Sequence, residues 1–329
     1  MRIRTVLAAT GAAAALAIGR RVAALSPVAP ELRRPLLLVP ISVTNTIVMR
    51  VLRLPSSFPP IRDDVRMEEH AVPGAPGATA FVFEPKAGRT TGGALLWIHG
   101  GGYVGGAAAM DHALCARFAA ELGMLVVSAE YRLAPEHPFP APLDDCFAVL
   151  RWLHSQAEVF ALDPGRIAVG GASAGGGLAA AVVQRAVDEG VPVAFQLLEY
   201  PMLDDRTVLR RDDEGRGRFA WTPASNRFGW SSYLGSAPGG SEVAPYAVPA
   251  RRSDLHGLPP AWVGVGELDL FFEEDVDYVR RLEEAGVPCT FVSVPGMYHG
   301  ADAIARDAPS MRRFQDRMVE AVRRGLSVG

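Results

Sequence analysis

From about residue 65 onward, the chain alternates short apolar runs rich in β-formers with longer stretches of helical periodicity. Residues 65–72 and 79–83 predict an opening pair of strands, joined through the turn-rich Pro73-Gly74-Ala75-Pro76-Gly77. Residues 94–98 are continuously apolar, as a strand buried on both faces must be. Residues 111–122 place Leu114, Phe118 and Leu122 at i, i+4 and i+8 and so predict a helix. Further strands are predicted at 124–128, 166–169, 193–198, 262–265 and 289–294. Helices are predicted at 143–155, at 174–189 before Gly190, around Val276, Val279 and Leu282 before Gly286, and at 308–325. Strand–helix alternation of this kind predicts a mostly parallel sheet covered on both faces.

Two stretches break the rhythm. Residues 204–252 are rich in Arg, Gly, Pro and aromatics (Phe219, Trp221, Phe228, Trp230, Tyr233) and show no strand pattern. A segment this long inside a compact α/β domain predicts a lid or binding insertion, with most of its aromatics holding it together. The N-terminus begins with the basic Met1-Arg2-Ile3-Arg4, continues as an Ala/Gly-rich apolar run at 6–18, and reaches Arg20-Arg21. It resembles a signal sequence and is short for a transmembrane span. Against export, Ala and Gly are weakly apolar, and the arginine pair stands where a cleavage region is small and neutral. An exported or membrane-associated protein and a cytoplasmic one both stay open. Residues 36–54 are apolar but interrupted by Pro40, Asn45 and Arg50, predicting an amphipathic cap or membrane-surface helix. The predicted organisation is an N-terminal apolar segment with cap helices (1–60), a core in two parts (61–203 and 253–329) and a cap insertion (204–252).

Composition narrows the function. The 329 residues are 49% hydrophobic and 21% charged with a net charge of −3, and no basic stripe is interleaved with aromatics, so nucleic acid is not an expected partner. Three cysteines without paired spacing suggest neither a disulfide framework nor a zinc site, and Cys115 and Cys146 sit in apolar helical context as core residues. The phosphate-loop pattern G-x-x-x-x-G-K-[ST] does not occur. No oligomeric state is indicated.

The chemistry lies at predicted strand ends. Gly171-Ala172-Ser173-Ala174-Gly175 falls between an apolar strand and an Ala-rich helix. There, small flanking residues permit a strained turn that raises the serine hydroxyl above the sheet. His99-Gly100-Gly101-Gly102 follows the strand at 94–98, and successive glycines let backbone N–H groups turn toward a developing oxyanion. His99 is expected to order this loop. A serine nucleophile needs a histidine base and an orienting acid, which in this fold follow it in the order acid, histidine. Downstream of Ser173 only His256 and His299 remain. His299, just past the last strand, is favoured over His256 in its connecting loop. Asp269 follows a strand and precedes a helix; Glu267 competes with it, while Asp275 and Asp277 are expected on a solvated helix face.

With Tyr131-Arg132-Leu133-Ala134-Pro135-Glu136 and Tyr200-Pro201-Met202-Leu203-Asp204, these ordered blocks resemble the hormone-sensitive-lipase-like family of α/β-hydrolases, which includes many bacterial carboxylesterases. The resemblance spans about residues 65–325. It implies the α/β-hydrolase fold with a helical cap, a triad of Ser173, Asp269 and His299, and an oxyanion hole from the amides of Gly101, Gly102 and Ala174. It further implies short- to medium-chain acyl ester substrates without a cofactor, and a supporting role for residues 131–136. Many members carry Asp or Thr where Ala172 stands, and Pro-Leu where this chain has Leu270-Phe271. Amide, formamide or deacetylase chemistry would use the same triad. A receptor on this fold would be expected to lack a triad member.

Overall fold

The computed structural model describes residues 19, 21–53, 58–211 and 214–327. The apolar run at 6–18 lies outside the described residues. Eight strands form one sheet: β1 (Val65–Ala71), β2 (Thr79–Pro85), β3 (Ala94–Ile98), β4 (Leu125–Glu130), β5 (Ile167–Ala172), β6 (Phe195–Glu199), β7 (Ala261–Gly266) and β8 (Cys289–Val294). Their order is β1-β2-β4-β3-β5-β6-β7-β8. β1 and β2 pair antiparallel, as do β2 and β4, and every later pairing is parallel.

The continuous apolar runs have the predicted cause. Alternate residues of each central strand enter separate cores, Leu96, Ile98, Val127, Val169 and Leu198 on one face and Leu95, Trp97, Val126, Ala168 and Leu197 on the other. Helices α3 (Ala141–Ser155), α4 (Ala174–Asp188) and α6 (Phe272–Glu284) cover the first face. Helices α2 (His112–Leu122) and α8 (Pro309–Gly325) cover the second, joined there by the short α7 (Ala301–Ile304). This is the doubly covered, mostly parallel sheet of the α/β-hydrolase fold.

Two local expectations change. β6 starts at Phe195 rather than residue 193, because the chain is still leaving Pro192, and Ala194 pairs only through its N–H to the Ile167 carbonyl. Residues 36–54 do not form one helix. They give a 3-10 turn at Pro35–Leu38 and, after an extended stretch, α1 (Thr46–Leu52). Pro40 supplies no amide and pushes residue 39 out of helical backbone. Asn45 then starts α1 afresh, its side chain accepting from Ile47 and Val48 N–H. Residues 204–252 hold a 3-10 turn at Asp205–Leu209, helix α5 (Pro223–Leu234) and a second 3-10 turn at Pro249–Arg251. Thr222 caps α5, with Pro223 in its first turn and Gly235 in left-handed backbone behind it.

Candidate active site

The turn from β5 into α4 carries Ser173 at φ 56°, ψ −121°, a backbone that side chains rarely adopt. Positions 171 and 175, two residues to either side, must be glycine. A Cβ on Gly171 would lie 2.4 Å from the Gly175 carbonyl oxygen, and one on Gly175 would lie 2.1 Å from that of Ile98. The turn is held from β6 and beyond, for Ser173 N–H donates to the Glu199 carbonyl (2.8 Å) and the Ser173 carbonyl accepts from Met202 N–H (2.9 Å).

His299 arrives on the loop after β8 and Asp269 on the turn after β7. His299 Nε2 lies 2.9 Å from Ser173 Oγ, and His299 Nδ1 lies 2.8 Å from Asp269 Oδ2. The second Asp269 oxygen accepts from Phe271 N–H at 3.0 Å, which fixes the carboxylate plane. Asp269 is wholly buried, and only slivers of Ser173 and His299 reach solvent. The Leu270-Phe271 pair therefore has a local use: Phe271 supplies that amide, and its ring meets His299 edge-on at 5.2 Å.

The competing residues go elsewhere. The Glu267 carboxylate has the Ser293 hydroxyl at 3.5 Å as its partner. His256 is exposed and bonded to Asp254. Asp277 pairs with Arg280 at the surface, as a solvated face requires. Asp275 does not share that face. It is fully buried, and neither carboxyl oxygen has a partner among the described residues. Two helical positions are about 200° apart, so solvent at 277 places 275 inward. Burial pushes its pKa well up, and Glu274 and Asp269 push it further.

The glycine loop is shaped by its contacts. Gly101 has φ 126° and its carbonyl accepts from Val104 and Gly105 N–H; Gly102 has φ 62°. A Cβ on Gly101 would fall 2.0 Å from the Gly105 carbonyl oxygen, and one on Gly102 would fall 1.9 Å from the Trp221 ring. No backbone carbonyl among the described residues accepts from the amides of Gly101, Gly102 or Ala174. His99 is buried, its Nδ1 is 2.7 Å from the Gly100 carbonyl, and its ring stacks on Tyr131 at 4.3 Å. Residues 131–136 brace the same loop: Tyr131 Oη donates to the His99 carbonyl and Ala134 N–H to the Tyr103 carbonyl. Arg53 ties α1 to both, donating to the carbonyls of Val104 and Ala134 and pairing with Glu136.

A second buried network lies against the histidine. The Tyr200 ring meets His299 at 4.8 Å and its hydroxyl donates to Asp302 Oδ1 at 2.8 Å. Burial pushes the pKa values of both Glu199 and Asp302 up, and the nearby Asp302 raises Glu199 further; Glu199 Oε1 has no hydrogen-bond partner among the described residues. Sequence reasoning missed Glu199 and Asp302, although Asp302 stands three residues past His299, within one helical turn. It also missed what sets Trp221 apart from the other insertion aromatics. Trp221 packs on Gly102 and forms one wall of an apolar cavity of about 280 Å3 that reaches Gly101. Leu37, Val39, Ile41 and Met49 also line it.

Comparison with known proteins agrees with this arrangement. Residues 95–303 match a protein family described as alpha/beta hydrolase fold. Esterase LipI of Mycobacterium tuberculosis is 33% identical over 270 residues, covering 80% of this chain and 83% of that one. Ethyl acetate hydrolase of Pseudomonas putida is 33% identical over 210 residues, covering 63% of this chain and 65% of that one. Among solved structures, a bacterial heroin esterase superimposes with a TM-score of 0.80 at 38% identity, covering 92% of this chain and 99% of that one.

Proposed function

The chain belongs to the hormone-sensitive-lipase-like branch of the α/β-hydrolase family and is a carboxylic ester hydrolase, and from that premise we propose that Ser173, His299 and Asp269 perform the hydrolysis. The observation that carries the assignment is the continuous chain of contacts, 2.9 Å from Ser173 Oγ to His299 and 2.8 Å from His299 to a wholly buried Asp269. His299 Nε2 takes the hydroxyl proton as Ser173 Oγ attacks the ester carbonyl. Asp269 holds the proton on Nδ1, so Nε2 is the free base, and it stabilises the imidazolium that forms. The amides of Gly101, Gly102 and Ala174, which have no other backbone acceptor among the described residues, hold the oxyanion. The alcohol leaves with the proton from His299. Water, deprotonated by the same nitrogen, then releases the acid from Ser173.

Residues of the 204–252 insertion and of the N-terminal segment act as the cap, since Trp221 together with Leu37, Val39, Ile41 and Met49 lines the cavity beside Gly101. A cavity of about 280 Å3 with an apolar lining suits short- to medium-chain acyl esters. The relatives named for ethyl acetate and heroin support small esters as the substrate class. Ser173→Ala is expected to lower turnover of p-nitrophenyl acetate on the order of a millionfold. Near-normal hydrolysis by that variant would overturn the nucleophile. A p-nitrophenyl series from acetate to laurate tests the chain-length limit separately.

A further inference from the structure

The exposed apolar side chains of this protein are not scattered. Of twelve large hydrophobic residues at the surface of the described chain, eight fall between residues 22 and 58, among them Leu36, Leu38, Val39, Ile41, Ile47 and Val51. A lone exposed leucine is ordinary on a soluble protein, but a contiguous apolar stretch is not. Val39 and Ile41 also line the cavity above Gly101, so the outer apolar face runs directly into the substrate space. The segment is not loose. Its inner residues Leu37 and Met49 are buried, Ser42 Oγ is bonded to Thr222 Oγ1, Val43 N–H donates to Ser225 Oγ, and Arg53 is anchored on the glycine loop. The outer side chains are thus presented on a fixed surface, with Ile47 75% and Val51 58% exposed one turn apart on α1.

Charge selects what covers this face. Residues 21–53 carry Arg21, Arg33, Arg34, Arg50 and Arg53 against the single acid Glu31, in a chain whose net charge is −3. Arg34 and Arg53 are paired with Asp307 and Glu136, while Arg33 donates to the carbonyls of Val28 and Ser26. A second copy would bring like charges together across the same apolar face. An anionic lipid surface offers what both features need, acyl tails for the apolar side chains and phosphates for Arg21, Arg33 and Arg50, which have no salt bridge among the described residues.

We propose that residues 22–53 form a docking face for an anionic lipid surface, from which ester substrates enter the cavity without crossing bulk water. The entry route rests on the Ser173 reading; the docking does not.

The test is co-sedimentation of the full chain with sonicated vesicles, either phosphatidylcholine alone or phosphatidylcholine with one quarter phosphatidylglycerol. Wild type and the double variant Ile47→Asp/Val51→Asp are compared, with p-nitrophenyl acetate hydrolysis in vesicle-free buffer as the measure of correct folding. The expected result is binding to the mixed vesicles that weakens with salt, a loss of at least tenfold in partitioning for the double variant, and unchanged hydrolysis in buffer. Equal binding to both vesicle types would overturn the anionic preference. A double variant that binds like wild type would overturn the face itself, since it keeps residues 1–20. Wild type that ignores vesicles but dimerises, with a monomeric double variant, would assign the face to a second copy. Failure of the Ser173 reading would show instead as hydrolysis by Ser173→Ala, with vesicle binding unaltered.

Discussion

Replacing Glu274 by Gln should make the protein more stable at high pH relative to wild type, by an amount that grows with pH. Glu274 lies in the first turn of α6, 2% exposed, and its carboxyl accepts from Leu203 N–H (2.7 Å), Asp204 N–H (3.2 Å) and the Thr207 hydroxyl. Burial outweighs these donors and pushes its pKa from 4.5 up to about 8. Below pH 4.5 the folded and unfolded chains both hold the proton, and the stabilisation is complete. Between 4.5 and about 8 the unfolded chain gives up a proton that the folded chain keeps, so stability falls as pH rises. The interval of about 3.5 units, at about 1.4 kcal/mol per unit, amounts to on the order of 5 kcal/mol. Gln keeps an acceptor for the two backbone amides and does not titrate. Asp111, Glu199 and Asp302 are also pushed up by burial, but they are common to both proteins and largely cancel in the difference, while Asp275 loses the upward push of Glu274 in the variant and so widens the gap in the same direction. Urea unfolding of both proteins at half-unit steps from pH 4.5 to 8 measures the gap. If the gap moves by less than about 1 kcal/mol over that range, Glu274 is ionised in the folded protein and the reasoning fails.

Other substitutions test the site directly. Asp269→Asn should lower kcat for p-nitrophenyl acetate about 10^4-fold by allowing the wrong imidazole tautomer, with Glu267→Gln within about threefold of wild type. Equal losses in the two variants would reopen the choice of acid. Gly102→Ala forces a Cβ to within 1.9 Å of the Trp221 ring at φ 62°, and the displaced amide should cost about 10^2- to 10^3-fold in kcat with the fold retained by circular dichroism. His256→Ala should leave the pH–rate profile of ester hydrolysis unchanged, because its ring is exposed and bonded only within its own loop.

The core was legible because each central strand buries both faces, so its apolar run needs no knowledge of its neighbours. Ser173 and His299 were legible because each follows a strand directly, at the sheet end where ligands bind in such folds. Asp269 and Glu267 stand two residues apart in one turn, and no periodicity separates them; the carboxylate that meets His299 is chosen by the turn itself, where Asp269 N–H donates to the Gly266 carbonyl. Asp275 was misread because a charged residue in a helix is normally solvated, and burial of an acidic side chain leaves no mark in local sequence. The approach of Trp221 to Gly102 joins positions 119 apart, and nothing local distinguishes that tryptophan from Trp230, which is buried among Tyr103 and Tyr233 instead. The helix expected across 36–54 failed at residues whose disruptive character was visible, Pro40 and Asn45.

The outer cavity wall precedes the first strand, and among the described residues it is tied to the rest by side-chain contacts, Arg21 to the Arg218 carbonyl, Ser42 to Thr222, Val43 to Ser225, and Arg53 to Glu136 and to the carbonyls of Val104 and Ala134. Lifting it breaks no ladder of the sheet and moves none of Ser173, Asp269 or His299. It is therefore a separate opening unit, whose free energy of detachment is a fraction of that for global unfolding. Amide protons such as that of Val43 should exchange with solvent through this local opening, while those of β3 and β5 wait for the whole molecule. The enzyme can thus breathe at its mouth while its catalytic floor stays rigid.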